Sequence, residues 1–106
     1  MADETLESLK ASRIPNNVLL RYLRLEPDYV DELEMQTVSA VYDAALSYVY
    51  ERCGIDAEYA DERPDIAIAV LILARDMYDN RALYVDKANV NRAVESILSC
   101  HDFNLL

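Results

Sequence analysis

Cys53, Cys100 and His101 are the side chains in this 106-residue chain best suited to nucleophilic or metal chemistry. Their spacing does not support either. The cysteines form no CxxC pair, and a lone histidine beside one cysteine leaves a four-ligand zinc site incomplete. A nucleophile needs a base within hydrogen-bond reach, and the only histidine falls in the last six residues, where a chain end is expected to fray. The adjacent carboxylates Asp31–Glu32 and Asp61–Glu62 look like acid–base pairs, but neighbours on a helix do not face one another. With Gly54 as the single glycine there is no glycine-rich phosphate loop. No enzyme, cofactor or metal site is expected. For the cysteines, one disulfide and two reduced, partly buried thiols are both open. The thiols are favoured, since both residues fall at helix ends and nothing else points to an oxidising compartment.

The remaining chemistry is that of surfaces. Eight tyrosines and eight arginines supply the residue types in which interfaces concentrate their energy. Twenty acidic residues face ten basic ones, a net charge of −10. That field repels phosphate backbones, so nucleic-acid binding, sequence-specific or not, is not expected. The charge is uneven: residues 1–24 carry four cations against three acids, net +1, which leaves −11 on residues 25–106. Such a start suits an acidic partner, although a solvated surface is the commoner meaning. The longest apolar run, Ile66 to Ala74, has nine residues, well short of the ~20 that cross a bilayer. MADETLESLK has no apolar signal core, so synthesis in the cytoplasm without a membrane partner is expected.

These side chains need helices to position them. A single glycine argues against hairpins, which use glycine at tight turns. A chain of this length forms one domain, here 1–106, with 1–15 as an N-terminal extension and 102–106 as a C-terminal tail. Pro15, Pro27, Gly54 and Pro64 divide it into helix-sized segments. A short helix is expected over 5–12, and another over 16–25 behind an Asn16–Asn17 cap. The clearest spans 29–53, capped by Asp28 and closed by Gly54. Val30, Leu33, Val38, Val41, Ala44, Ala45, Tyr48 and Val49 form its core face. Residues 64–79 are apolar on nearly every side, which places them at the centre of the fold. A loop over 80–89 leads to a last helix over about 90–101, capped by Asn89, with Val90, Val94, Ile97 and Leu98 as its stripe. The expected fold class is all-α: a small bundle of about four helices around a central apolar helix, about 64–79.

The long helix carries a second stripe, Met35, Tyr42, Leu46 and Tyr50. Two apolar faces imply contacts on two sides, either with other helices of the domain or with another subunit. Tyr78 and Arg81 also have two readings: they close the core helix, with Arg81 near its negative end, or Arg81 contacts a neighbour. Phe103, Leu105 and Leu106 either fold back on the domain or dock on a partner.

LLRYLRLEPD, then AALSYVYERCGID, then RPDIAIAVLILARDMYDNRALY resembles the head–tail connector proteins of long-tailed bacteriophages. The resemblance covers about residues 18–100. In that family a Leu-Arg-rich helix leads to a long helix ending roughly A-x-x-Y-V-x-x-x-x-G, here Ala45, Tyr48, Val49 and Gly54. A core helix then opens at Pro and closes on Tyr-x-x-Arg, here Pro64, Tyr78, Asn80 and Arg81. The stretch before Val18 is longer than the family's lead-in, and beyond Arg81 only the apolar pattern matches.

The resemblance implies a non-catalytic subunit of a homo-oligomeric ring, dodecameric in the virion. The ring sits in the neck below the portal protein, extends the DNA channel and offers a platform to the next neck or tail-completion protein. On that footing Met35, Tyr42, Leu46, Tyr50 and Arg81 are the candidate subunit interface. Phe103, Leu105 and Leu106 are the candidate docking tail for the portal or a neighbouring subunit. Acidic residues facing the channel would keep DNA from sticking. The alternative is a small acidic helical regulator, or a nucleic-acid mimic, that occupies a basic site.

Overall fold

The computed structural model describes residues 9–81 and 91–103. Among them are five α-helices and no strand: α1 (Asn16–Tyr22), α2 (Glu32–Cys53), α3 (Ala57–Asp61), α4 (Pro64–Asn80) and α5 (Arg92–Ser99). The protein is a small all-α bundle, with α4 against each of the other four helices.

α4 is central because of its composition. Ile66, Ala67, Ala69, Val70, Leu71, Leu73, Ala74, Met77 and Tyr78 are all buried, so several faces of the helix are covered. Pro64 opens it at a position whose missing N–H costs no helical bond. Arg81 closes it in the left-handed region, φ 52°.

α2 packs along α4 through Val38, Val41, Ala45, Val49 and Cys53, at helical spacings of three and four. Complete burial of each such valine stabilises the fold by about 1.5–3 kcal/mol. Asp31, not Asp28, caps this helix, its carboxylate accepting from the Glu34 N–H at 2.8 Å. Pro27–Tyr29 forms a separate 3-10 turn, and Val30 and Asp31 are extended, so the helix starts three residues later than expected. Gly54 ends it at φ 69°, in a conformation that needs no Cβ. Leu33 departs from the expected core face: it is 71% exposed.

Other expectations shift at element ends. α1 stops at Tyr22 because Arg24 turns left-handed (φ 65°) and the Leu25 N–H reaches back to the Leu20 carbonyl at 2.8 Å. Pro15 precedes α1 with no side-chain cap bond, so Asn16 and Asn17 do not cap it. Of the expected helix over 5–12, residues 5–8 lie outside the described residues, and Ala11–Arg13 form a 3-10 turn. Leu9, Ala11 and Ile14 are buried in the core, so the described part of the 1–15 stretch packs into the domain. Asn91 caps α5 by accepting from the Ala93 and Val94 N–H groups at 2.8 and 3.4 Å. Asn89, Val90 and most of the 80–89 loop lie outside the described residues, and Asn80 belongs to α4. Between α2 and α4, α3 is a short helix capped by Asp56, which accepts from the Tyr59 N–H at 2.9 Å.

Candidate functional site

The residues singled out in the sequence fall on three separate surfaces. Met35, Tyr42, Leu46 and Tyr50 lie along one flank of α2, each half-buried against the core. The N-terminal segment crosses this flank at Tyr42. The Tyr42 hydroxyl donates to the Ala11 carbonyl and accepts from the Ile14 N–H at 3.2 Å. Nearby, Asp61 of α3 accepts from the Ser12 N–H at 2.9 Å and the Ser12 hydroxyl at 2.6 Å. Burial raises the Tyr42 pKa above the ordinary tyrosine value, Asp61 and Asp43 add to the rise, and the Ile14 N–H opposes it. Tyr50 is raised too, by burial first and then by Asp61. Part of this stripe therefore has an intrachain partner.

Arg81 lies elsewhere. Its guanidinium sits 4.3 Å from the centre of the Tyr78 ring and donates to the Tyr78 carbonyl at 3.1 Å. With Tyr78 it forms one wall of an open groove of about 290 Å³, opposite Leu33, Gln36, Thr37 and Ala40 of α2, over a floor that includes Val41. Leu33 and Tyr42 are nine residues apart, about two and a half helical turns, so the groove and the Met35 stripe lie on opposite flanks of α2. The structure does not bring Arg81 together with the other four candidate interface residues. Helical spacing of Leu33, Thr37 and Ala40 was the available signal for the groove, masked by Leu33 falling within the core arc of the helical wheel.

The third surface surrounds Tyr59 of α3. The edge of Phe103 meets its ring at 5.2 Å, and the Arg63 guanidinium lies 3.6 Å over its centre. His101 joins the Tyr59 hydroxyl through Nδ1 at 2.9 Å and Asp65 through Nε2 at 2.8 Å. Contrary to the expectation of a frayed end, His101 is tied at both ring nitrogens. The Phe103 N–H also donates to the Cys53 carbonyl at 2.8 Å, one of the carbonyls left open at the end of α2. Arg52 pairs with Glu95 and Asp102, which raises its pKa chiefly through the bonds to those two carboxylates. Phe103 remains 55% exposed despite these anchors. Leu105 and Leu106 lie outside the described residues.

Cys53 and Cys100 are free thiols outside any disulfide, the first buried and the second exposed. Burial pushes the Cys53 thiol up to about 11, away from the thiolate form that reacts. Among the described residues no group of three His, Cys, Asp or Glu is placed to hold a metal, and no helix is long and apolar enough to cross a membrane.

No family model matches the chain, and no curated protein or solved structure matches it.

Proposed function

We propose that this chain is a structural head–tail connector subunit of a long-tailed phage or prophage. It assembles into a ring below the portal, extends the DNA channel and receives the next neck or tail component. The observation that carries this reading is the pair of apolar features left open at opposite ends of α2: Leu33 with its groove at the start, and Phe103 at the end. Two separate apolar contact points on one helix suit a subunit that touches a neighbour on each side, as a closed ring requires. The motif positions of the resemblance also fall at joints of the fold. Gly54 is the left-handed end of α2, Pro64 the first residue of α4 and Arg81 its left-handed end.

A second reading has one observation in its favour. Glu26, Asp28, Asp31, Glu32 and Glu34 cluster in sequence and form no ion pair among the described residues, as an acidic mimic of nucleic acid would need. Electron micrographs of the purified protein separate the two. Annular particles with a central channel support the connector. A uniform monomer that binds a basic protein in a strongly salt-dependent way supports the regulator.

A further inference from the structure

At the end of α2 away from Leu33, an open space of about 430 Å³ is lined by Gly54, Ile55, Asp56, Tyr59 and Phe103. Its walls are of one electrostatic kind. Gly54 and Ile55 directly follow α2, so the space sits at the negative end of a 22-residue helix. Asp56 is exposed; its Oδ1 accepts from the Tyr59 N–H at 2.9 Å, and it forms no ion pair among the described residues. The rings of Tyr59 and Phe103 stand at 89° to one another, and Phe103 is 55% exposed, so aromatic surface stays open to a guest. Phe103 is held in place by its N–H, which donates to the Cys53 carbonyl at 2.8 Å.

The nearby cations are already engaged. Arg52 joins Glu95 and Asp102, and Arg63 pairs with Glu62 at 3.5 Å. From residue 51 to residue 63 five carboxylates stand against those two arginines, which disfavours an anion here. A single carboxylate among the described lining residues is too few for a hard metal ion, which takes six or more oxygen ligands. Arg63 shows which cation the local chemistry accepts. Its guanidinium lies 3.6 Å over the centre of the Tyr59 ring while it pairs with Glu62. A planar guanidinium stacks on an aromatic face and bonds a carboxylate at the same time, a fit that a compact ammonium does not match. Phe103 and Asp56 offer that pair of partners a second time. We infer that this space is a docking site for an arginine side chain on a basic segment of a partner protein, with the guanidinium over Phe103 and its N–H groups on Asp56. The site goes beyond the connector reading and does not depend on ring formation.

Phe103 is the only phenylalanine in the chain, so biosynthetic replacement by para-fluorophenylalanine places a single fluorine nucleus at the site. Titration of the full chain with N-acetylarginine amide should shift that resonance saturably, and the neutral isostere N-acetylcitrulline amide should leave it in place. Asp56→Asn keeps a good capping residue on α3 and removes the charge. It should raise the Kd of the arginine probe at least about threefold, the scale of one charged contact at a partly open site. Glu32→Gln, at the opposite end of α2, should leave that Kd unchanged. An equal response to the citrulline probe would overturn the inference by making the charge irrelevant. Equal weakening by Glu32→Gln would overturn it by reducing the effect to general attraction towards an acidic protein, and no shift with either probe would overturn it outright. Ring formation is read separately from mass in solution, so the connector reading can fail while this site stands, and the reverse.

Discussion

Replacing Tyr42 with phenylalanine tests whether the flank of α2 is held by the chain's own N-terminal segment. The ring stays, and only the hydroxyl is lost, which donates to the Ala11 carbonyl and accepts from the Ile14 N–H. Each such bond contributes about 0.5–1.5 kcal/mol net, and water reaches this half-buried site once the hydroxyl is gone, so the total cost is about 1–2 kcal/mol. For a domain of this size that lowers Tm by about 5–10 °C. The pH dependence gives a second handle. Burial raises the pKa of Tyr42, Tyr48 and Tyr50 in the folded state, so the fold keeps protons that the unfolded chain releases near pH 10. Their contribution is intact below that pH and is lost as pH rises through the folded values. Thermal melts followed by circular dichroism from pH 7 to 11 should show a lower Tm for the variant at neutral pH and a shallower alkaline decline. An unchanged Tm at neutral pH would refute the tie between α2 and residues 11–14. Loss of assembled mass without loss of Tm would instead assign the Tyr42 hydroxyl to a subunit contact.

Asp31→Ala removes the cap of α2 and should cost about 1 kcal/mol, whereas Asp28→Ala should leave stability within about 0.5 kcal/mol; urea titrations of both variants check the pair. A thiol reagent at pH 8 should label one cysteine rapidly, Cys100, and Cys53 only under denaturing conditions; mass spectrometry of the labelled peptides reads this directly, and fast double labelling of native protein would contradict the burial of Cys53.

Residues whose neighbours in sequence determine their surroundings were legible. The apolar run from Ile66 to Ala74 could only be central, and the spacing of Val38, Val41, Ala45 and Val49 marked one buried face of α2. What failed depended on distant partners. His101 looked like part of a frayed end because nothing local reveals that Tyr59 and Asp65 lie within hydrogen-bond distance of it. Leu33 shares the wheel sector of core residues, yet it sits in the first turn of α2, beside an open groove rather than against the central helix. α3 is too short to show a period; only its Asp56 cap and the buried Ala60 announce it. Of the two aspartates near the start of α2, Pro27 draws Asp28 into a separate 3-10 turn and leaves the cap to Asp31. For the candidate site, Tyr42 and Tyr50 were recognisable as a second stripe, but its partial cover by residues 11–14 required the chain to be traced in space.

Absolute mass by light scattering over a dilution series, at low and at moderate salt, bears most directly on the central claim that this chain is a ring-forming subunit. Closed assembly predicts one large species of around a dozen subunits that dissociates on dilution without a ladder of filaments. A monomer at every concentration and both salt levels would contradict it.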